Sequence, residues 1–428
     1  MASDYSAARQ EFVDRINAGA SLGIPFIQKR VNLGKTALNE DARTNGIIHL
    51  YVPAGGTSGN EALTDANGPV EGALDRTNDQ NRGASYYKVE CYSHNTWDFY
   101  SHSALEKMFQ IGNLDKNVIQ GRINQICQRT ELDLVSRNWT KAGGASVAGS
   151  SEIGFYAMDQ AASMLQTIKA EGSWTGYMSP MFKAKLKGQS LPKNTGFDVP
   201  DEVLKSMYGR NSIGIYANTD WVNEAFMPEY TAGVINGTTT SGTAIKVKTA
   251  VSEQGASQIS LKGVTASGKV TKGTPFTIEG VYDVSTAGIA MPWKKTFIVQ
   301  EDATANGDGD VTVKVLPIYF NDVTKGYQNN VYVADSEIPE NAVVKSDVEA
   351  SATYYVALIK EDSAFNWTPF ELPDVENCKN TTTSTDDLTI QLVSGGELLT
   401  RKNKMRFDCP YFGDIVDPRA CRLIFCKK

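Results

Sequence analysis

The chain has 428 residues, of which 41% are hydrophobic, enough apolar surface for the cores of two or three domains. Its formal net charge is -7 and neither end carries a block of Lys and Arg. The sequence therefore lacks the basic surface that is typical of a protein that binds nucleic acid directly. No stretch approaches the roughly 20 apolar residues of a membrane helix, and the first residues lack a basic region followed by an apolar core, so we expect a soluble chain.

The first predicted element is a helix in an N-terminal arm that spans residues 1–45. Ser3 or Asp4 can cap this helix, and Tyr5, Phe12 and Ile16 line one of its sides at helical spacing. Such an apolar face needs a partner, either in the same chain or in the next one. Tyr5, Phe12 and Ile16 are therefore candidate subunit-interface residues.

Residues 46–90 are predicted to form an extended loop. Its two ends are strands, at 47–52 and 86–91. The intervening residues 53–84 are polar and rich in glycine, and a loop of this length inside a compact domain is usually functional or lacks order by itself. We expect a neighbouring molecule to order it. The charged residues that we take as candidate interface residues, with plain solvated charges as the alternative, are Glu61, Asp65, Glu71, Asp75 and Arg76.

One long amphipathic helix is predicted over residues 115–138, within a peripheral domain assigned to residues 91–150. Ile119, Ile123 and Ile126 recur at the three-and-four spacing that places side chains on one helical face. At ~1.5 Å per residue the helix is about 36 Å long, close to the width of a small domain. We name it the spine helix and expect it to support the elements around it.

Residues 151–230 combine helix and strand signals in the manner of an α/β layer, and we assign them to the first part of an axial domain. A helix is predicted over 152–171 and a strand over 174–178. Ser179 and Pro180 then provide the N-cap and the first-turn proline of another helix. A strand followed at once by a capped helix is typical of such a layer.

From residue 231 to residue 347 helical patterns give way to alternating strands separated by glycine-rich turns, which predicts an inserted all-β domain. Residues 348–428 return to mixed structure and supply the return strands of the axial and peripheral domains. The strands predicted in these two regions are 244–248, 275–278, 296–300, 311–315, 354–359, 388–393, 404–409 and 420–426. The chain as a whole is therefore predicted to be an α+β protein.

No residue type or spacing in the sequence marks a catalytic or metal site. None of the three histidines lies near a Ser-centred nucleophile motif, and Cys91, His94 and His102 would provide at most three irregularly spaced metal ligands. The six cysteines form no CxxC pair and are expected to be free thiols. No pair of carboxylates stands out as an acid–base couple. We therefore expect neither an enzyme nor a cofactor.

Two glycine-rich runs resemble ligand-binding loops but lack a necessary residue. Residues 263–269 imitate a phosphate loop, yet Val270 occupies the position of the magnesium-binding hydroxyl, and the run links two predicted strands. Residues 306–310 imitate an acidic calcium loop without the terminal Glu of an EF-hand. We expect a connection between strands at the first run and a tight hairpin turn at the second.

The order of these parts resembles the major capsid proteins of tailed double-stranded DNA phages, which share the Hong Kong 97 fold. The inserted β-domain makes the chain similar to the podovirus-type coat proteins that carry an insertion domain. The stretches that carry the resemblance are 47–53 and 85–108 at the loop base, Ser179-Pro180-Met181-Phe182 at a strand-to-helix turn, 272–281 in the inserted domain, and 413–420 before the last strand.

The resemblance implies a function as well as a fold. The fold would be Hong-Kong-97-like, with a long spine helix, an extended β-hairpin loop and a barrel-like inserted β-domain. The chain would self-assemble, through pentamers and hexamers, into an icosahedral shell in the host cytoplasm, with scaffolding and portal proteins as partners. The resulting virion capsid would enclose double-stranded DNA without sequence-specific binding and without a membrane.

Two features depart from those relatives. Their insertion domain has a long loop that reaches a neighbouring capsomer, whereas residues 252–257 make only a short turn here, and no Lys–Asn pair is marked for crosslinking. Two alternatives to a phage shell stay open. One is the shell protein of a bacterial nanocompartment, which shares the fold, and the other is a multidomain β-rich binding protein or hydrolase.

Overall fold

The computed structural model of the chain divides into two compact units. The first unit comprises residues 1–50, 90–138 and 365–416, and the second comprises residues 51–89, 139–364 and 417–428. The structure describes residues 12–14, 16, 24–27, 46–55, 85–103, 114–148, 154–168, 173–189, 213–235, 244–253, 255–285, 290–319, 332–333, 337–385, 387–397 and 402–428.

The described residues form a mixed α+β fold that is rich in strands. Its helices are α1 (Leu114–Asn138), α2 (Gly154–Ile168) and α3 (Pro180–Gln189). Its strands are β1 (Ile47–Gly55), β2 (Ser85–Ser103), β3 (Ala145–Ala148), β4 (Trp174–Met178), β5 (Gly214–Tyr216), β6 (Thr219–Asn223), β7 (Glu229–Thr231), β8 (Lys246–Val247), β9 (Ala256–Lys262), β10 (Lys269–Val270), β11 (Pro275–Val284), β12 (Ala290–Val299), β13 (Ala303–Thr304), β14 (Val311–Tyr319), β15 (Tyr332–Val333), β16 (Val344–Lys345), β17 (Thr353–Glu361), β18 (Phe365–Pro369), β19 (Lys379–Ser384), β20 (Thr389–Glu397), β21 (Lys402–Ile415) and β22 (Cys421–Lys427). None of the helices in this described part combines the length and the apolar character needed to cross a membrane.

The core of the first unit lies between α1 and a six-stranded sheet. The order of this sheet is β1–β2–β21–β20–β19, with β18 paired to β21. Helix α1 packs on β21, and its residues Ile119, Ile123, Ile126 and Leu134 are fully buried because their spacing puts them on one face. Strands β2 and β21 pair antiparallel over eleven residues, which makes them the longest ladder of the unit.

The second unit contains a seven-stranded sheet with helices packed on it. The order of this sheet is β3–β22–β17–β4–β6–β5, with β7 paired to β17. Helix α2 buries Phe155, Met158 and Leu165 in the cluster beneath it. The predicted N-cap of α3 is confirmed, since the Phe182 N–H donates to Ser179 Oγ over 3.1 Å.

Strands β8 to β16 lie within the region predicted to be an inserted β-domain. They form a seven-stranded sheet of order β15–β11–β12–β14–β9–β8, with β16 paired to β11, and the short pair β10–β13. One hydrophobic cluster, which includes the buried Phe276, Phe297 and Val313, fills this part of the second unit. Along residues 311–315 buried and exposed side chains alternate, so one face of β14 points into that cluster.

The predicted elements differ from the structure chiefly at their ends. The helix predicted over 115–138 begins one residue earlier, at Leu114. The strand predicted over 86–91 continues to Ser103, because pairing with β21 carries it through polar residues that interrupt the hydrophobic pattern. The strand predicted over 244–248 shortens to two residues.

Candidate functional site

A cavity of about 320 Å³ opens in the first unit beside β2, α1 and β21. Alternation along β2 turns His94 and Thr96 towards α1, and helical spacing places Arg129 and Asp133 one turn apart on the facing side. The residues that line the cavity are His94, Asn95, Thr96, Trp97, Arg129, Asp133 and Tyr411. The cavity therefore marks the junction at which a helix and two strands meet.

Asp133 ties the helix to both strands at this junction. Tyr411 Oη donates a hydrogen bond to Asp133 Oδ2 over 2.6 Å, and Arg137 Nε donates to the same oxygen over 2.9 Å. His94 Nδ1 lies 3.9 Å from that oxygen, and the His94 and Tyr411 rings stack with their centroids 6.0 Å apart. These contacts join β2 and β21 to one carboxylate of α1.

Protonation states at the junction are held by the same contacts. Burial alone would raise the pKa of Asp133, but the hydrogen bonds from Arg137 and Tyr411 hold this pKa below its ordinary value. Burial and the hydrogen bond to Asp133 raise the pKa of Tyr411. At neutral pH the Asp133 carboxylate is ionised and the Tyr411 phenol is protonated. Their pKa values are both moved away from neutrality, so the arrangement fits a structural contact better than an acid–base couple.

Asn138, the last residue of α1, pairs backbone groups at the helix end. Its Nδ2 donates to the carbonyl oxygens of Leu134 over 2.9 Å and Gly413 over 3.3 Å, and its Oδ1 accepts from the Ile415 N–H over 2.9 Å. The residue is 0% exposed, so water cannot replace these bonds. One side chain thus links the end of the helix to β21.

We expect Asn138→Leu to lower the free energy of unfolding by about 1–3 kcal/mol, because the Ile415 N–H loses its partner in a buried position. The midpoint of urea unfolding, monitored on the full chain, measures the loss. Ser136→Ala is the matched control, since this exposed hydroxyl lies on the same helix. Equal midpoints for the two variants would contradict the role of Asn138.

The second unit contains a buried cluster of three charged side chains. Lys295 Nζ lies 2.8 Å from Asp283 Oδ1, and Arg422 Nη2 lies 2.5 Å from Asp283 Oδ2, with every side chain at most 2% exposed. Burial would raise the pKa of Asp283, but the two cations lower this pKa to about 2. Because Asp283 and Lys295 belong to β11 and β12 and Arg422 to β22, the cluster joins the sheet that contains β11 and β12 to the sheet that contains β22.

Neutral hydrogen bonds reinforce this joint within the second unit. Gln300 Nε2 donates to the Thr140 carbonyl over 2.9 Å, and Gln300 Oε1 accepts from Thr140 Oγ1 over 3.1 Å. The hydroxyl oxygens of Tyr230 and Thr274 lie 2.7 Å apart in a buried hydrogen bond. Side chains therefore attach the region of β8 to β16 to the rest of the second unit, in addition to the chain segments that lead into and out of it.

The Cys and His residues weighed as metal ligands occupy different places. Cys91 is buried and is not part of a disulfide, His94 belongs to the Asp133 junction, and the side chain of His102 lies outside the described residues. Across the ranges that the structure describes, no group of three or more His, Cys, Asp or Glu residues is placed to hold a metal ion.

Both glycine-rich runs connect strands, as predicted. Residues 263–269 lead from β9 into β10. In the second run, Asn306 Oδ1 accepts the backbone N–H groups of Asp308 over 3.0 Å and Asp310 over 2.8 Å, and Gly309 supplies the φ of 80° that the turn requires. The Asn306 oxygen is thus used inside a tight turn between β13 and β14. These two strands belong to different sheets, so the turn is not the predicted hairpin.

Two of the predicted interface residues are core residues of this chain. Phe12 is 0% exposed and Ile16 is 2% exposed, and the Phe12 and Phe407 ring centroids lie 6.1 Å apart. This burial corrects the prediction of a contact with a neighbouring subunit, because helical spacing reveals an apolar face but not the chain that covers it. The predicted interface residues outside the described residues are Tyr5, Glu61, Asp65, Glu71, Asp75 and Arg76.

Sequence reasoning missed a set of exposed aromatic residues on β2. Tyr92 is 52% exposed, Trp97 54% and Phe99 44%. The spacing of two between Trp97 and Phe99 was a signal that they share one face of a strand. Which face is covered depends on α1 and could not be read from that spacing.

The chain matches no protein-family model and no curated protein. Solved structures similar to it are those of phage capsids and a virus-like particle. The capsid of Ralstonia phage GP4 is 9% identical, with a TM-score of 0.43 over 90% of this chain and 83% of that chain. The Mycobacterium phage Che8 structure is 8% identical, with a TM-score of 0.40 over 92% of this chain and 91% of that chain. The virus-like particle from Pyrococcus furiosus is 8% identical, with a TM-score of 0.40 over 98% of this chain and 99% of that chain. At these values the likeness decides neither the fold nor the function.

Proposed function

We propose that the chain is the major capsid protein of a tailed double-stranded DNA phage, with a Hong-Kong-97-like fold. The observation that carries the proposal is the layout of the first unit. The 25-residue helix α1 lies on a long sheet whose neighbouring strands β1 and β2 lead into and out of residues 56–84. This layout supports a spine helix beside an extended loop, the combination on which the sequence resemblance depends.

The composition of residues 56–84 supports a contact between copies. The segment is rich in glycine and poor in apolar residues, so it cannot bury a core of its own. Such a segment gains order by lying on a neighbour, and repeated heterologous contacts of this kind close into rings and then into a shell. The residues proposed to contribute charged contacts there are Glu61, Asp65, Glu71, Asp75 and Arg76.

The proposed division of the subunit follows the sequence boundaries. The strands between 246 and 345 support an inserted β-domain at 231–347. The other proposed parts are an arm at 1–45, a loop at 46–90, a peripheral domain with the spine helix at 91–150, the first part of the axial domain at 151–230, and return strands at 348–428.

The proposed partners are further copies of the chain, arranged as pentamers and hexamers, together with scaffolding and portal proteins during assembly in the host cytoplasm. The shell, as part of the virion, would enclose double-stranded DNA. The net charge of -7 and the absence of a Lys and Arg block at either end support an inner shell surface that encloses DNA without binding it tightly.

Negative-stain electron microscopy and sedimentation of the expressed chain test the proposal. We expect uniform hollow shells, rings or polyheads, with the phage's scaffolding protein co-expressed where the chain alone stays monomeric. Shell diameter then separates a phage capsid from a bacterial nanocompartment. A compact monomer in the presence of scaffolding protein would overturn the proposal and favour a multidomain β-rich binding protein or hydrolase.

A further inference from the structure

The turn between β13 and β14 contains an Asn-Gly pair, Asn306–Gly307, whose side-chain amide is held in one orientation. Its Oδ1 accepts two backbone N–H groups, from Asp308 over 3.0 Å and from Asp310 over 2.8 Å. Both donors follow Asn306 in the chain, so the side chain is folded back over the backbone that begins with Gly307. The sequence contains four Asn-Gly pairs, and this one alone lies wholly within the described residues.

Backbone hydrogen bonds close the turn around this side chain. The Asn306 N–H donates to the Asp310 carbonyl over 2.9 Å, and the Gly309 N–H donates to the Asn306 carbonyl over 3.1 Å. The main chain of Asn306 is thereby fixed, and its side chain cannot rotate away without breaking the two hydrogen bonds to Oδ1. The amide is therefore held in place before any reaction, whereas in a free peptide it would sample several rotamers.

The backbone nitrogen of Gly307 is accessible in the same turn. The hydrogen bonds that the structure describes here leave the Gly307 N–H unused, and a Cβ built on Gly307 would meet no heavy atom within 4 Å. Asn306, Gly307 and Asp308 are all exposed, so water and hydroxide can reach this nitrogen and the neighbouring amide carbon. A nucleophile and the carbon that it can attack therefore lie side by side in solvent.

The two N–H donors to Asn306 Oδ1 also favour an attack on the amide carbon electrostatically. Attack converts the carbonyl oxygen into an oxyanion, and donors that already point at this oxygen stabilise the charge as it develops. The carboxylate of Asp310 would repel an oxyanion, but Lys248 Nζ lies 2.7 Å from Asp310 Oδ2 and reduces that repulsion. The turn thus stabilises the tetrahedral intermediate of an intramolecular acyl transfer.

We propose that Asn306 is a site of spontaneous deamidation and that the folded turn accelerates the reaction. Hydroxide takes the proton of the Gly307 N–H, and the nitrogen forms a bond to Asn306 Cγ. The bond from Cγ to the side-chain nitrogen then breaks, and this nitrogen leaves as ammonia after taking a proton from water. The product is a succinimide ring that contains the Gly307 nitrogen.

Water opens the succinimide ring at either of its carbonyl carbons. Cleavage between Cγ and the Gly307 nitrogen gives aspartate at position 306, and cleavage between the main-chain carbonyl carbon and that nitrogen gives isoaspartate. In sum, one amide and one water become one carboxylate and one ammonium ion. The reaction needs no other reactant and does not depend on the proposed shell function.

The two products have different effects on the turn. Aspartate at position 306 keeps a side-chain oxygen that can accept both N–H groups. Isoaspartate adds a methylene group to the main chain, so the hydrogen bonds between Asn306, Gly309 and Asp310 cannot all be retained. Because the Gly309 carbonyl accepts the Val264 N–H over 3.0 Å, we expect isoaspartate to weaken the contact between the two glycine-rich runs.

Incubation of the full-length chain in mildly alkaline buffer, followed by mass spectrometry of the proteolytic peptide that contains residue 306, measures the rate. A synthetic peptide of residues 300–312 in the same buffer gives the rate without the fold. We expect the folded chain to deamidate about tenfold or more faster than the peptide. The chain unfolded in guanidinium chloride should match the peptide in that denaturant. A folded-chain rate equal to or below the rate of the peptide would overturn the proposal.

Gly307→Ala tests the attacking nitrogen in the full chain. The space around Gly307 accepts a methyl group, so we expect an unchanged thermal midpoint and a severalfold slower reaction, because the added carbon hinders the approach of the nitrogen. The matched control is Gly121→Ala, on α1, where a Cβ also meets nothing within 4 Å. This control should leave the rate at position 306 unchanged. Equal rates in wild type and Gly307→Ala would overturn the proposed attack.

Hydrogen exchange of the Val264 N–H tests the effect on the turn. Wild-type chain aged until isoaspartate accumulates should lose protection at Val264 in proportion to its isoaspartate content. Asn306→Asp should retain that protection, because the acceptor oxygen and the length of the main chain are unchanged. Full protection at Val264 in a sample rich in isoaspartate would overturn the expected weakening of the contact between the two runs.

Discussion

Replacing Asp283 with Asn is expected to lower the free energy of unfolding by about 3–5 kcal/mol, because it leaves Lys295 and Arg422 as two buried cations without a counter-charge. Arg422→Met should cost less, about 1–3 kcal/mol, because the Asp283–Lys295 pair stays neutral and only the hydrogen bonds from Arg422 to Asp283 and to the Gly143 carbonyl are lost. Denaturant midpoints measure both changes, and hydrogen exchange in β11, β12 and β22 locates them. Similar losses for the two variants would contradict the explanation that Asp283→Asn destabilises the chain by leaving two buried cations without a counter-charge.

Two further variants separate charge burial from simple loss of a contact. Asp283→Leu, Lys295→Met and Arg422→Met together should recover most of the stability lost by Asp283→Asn, because apolar residues of similar volume remove the need to bury any charge. Lys248→Gln is the matched control, since Lys248 Nζ also lies 2.7 Å from a carboxylate, that of Asp310, but is exposed to water. We expect no resolvable change in that control.

The same cluster predicts the acid limit of stability. The folded-state pKa of Asp283 is lowered from an ordinary 3.8 to about 2, so its contribution is complete above the ordinary pKa and is lost as pH falls from 3.8 towards 2. The variant with all three residues apolar should lack this component in an acid titration of stability. An identical acid transition in wild type and that variant would contradict the assignment.

Phe12→Asp is expected to destabilise the folded chain by more than the ~3–5 kcal/mol that follows loss of a buried aromatic ring, because it also buries a charge. The assignment of Phe12 as a candidate subunit-interface residue predicts the opposite order, a larger effect on assembly than on folding. The full burial of Phe12, with its ring centroid 6.1 Å from that of Phe407 in the same chain, reverses this order. Urea unfolding and sedimentation of the same sample measure the two effects.

Asp14→Ala is the control for Phe12→Asp, since Asp14 is an exposed residue of the same helical turn. We expect this control to leave both the unfolding midpoint and shell formation unchanged. A Phe12→Asp chain that unfolds at the wild-type midpoint and still fails to assemble would return Phe12 to the subunit interface.

Elements with one buried face were predictable because periodicity follows from the geometry of the local backbone. Ile119, Ile123 and Ile126 predicted the helix that the structure contains. Alternation over 311–315 predicted a strand with one face in a core, and this is also present. The Ser179 N-cap was predictable for the same reason, since cap and helix are neighbours in sequence.

Charged core residues were not predictable from their neighbours. Lys295 follows Lys294 and has the sequence appearance of a solvated charge, and Arg422 stands in an apolar strand with no local partner. Their common partner, Asp283, is 139 residues away from Arg422 along the chain. A contact at such a separation leaves no periodic trace in the sequence.

The amino-acid sequence by itself determined the α+β class, the order of those helices and strands that show a regular hydrophobic pattern, the turns at 263–269 and 306–310, and an acidic segment without apolar content for a core. Only the tertiary structure decided that Phe12 is covered by its own chain, that Trp97 and Phe99 face away from α1, and that one carboxylate binds two buried cations. Periodicity records how a residue relates to its own element, whereas burial and partnership depend on elements that the fold brings together from distant parts of the chain.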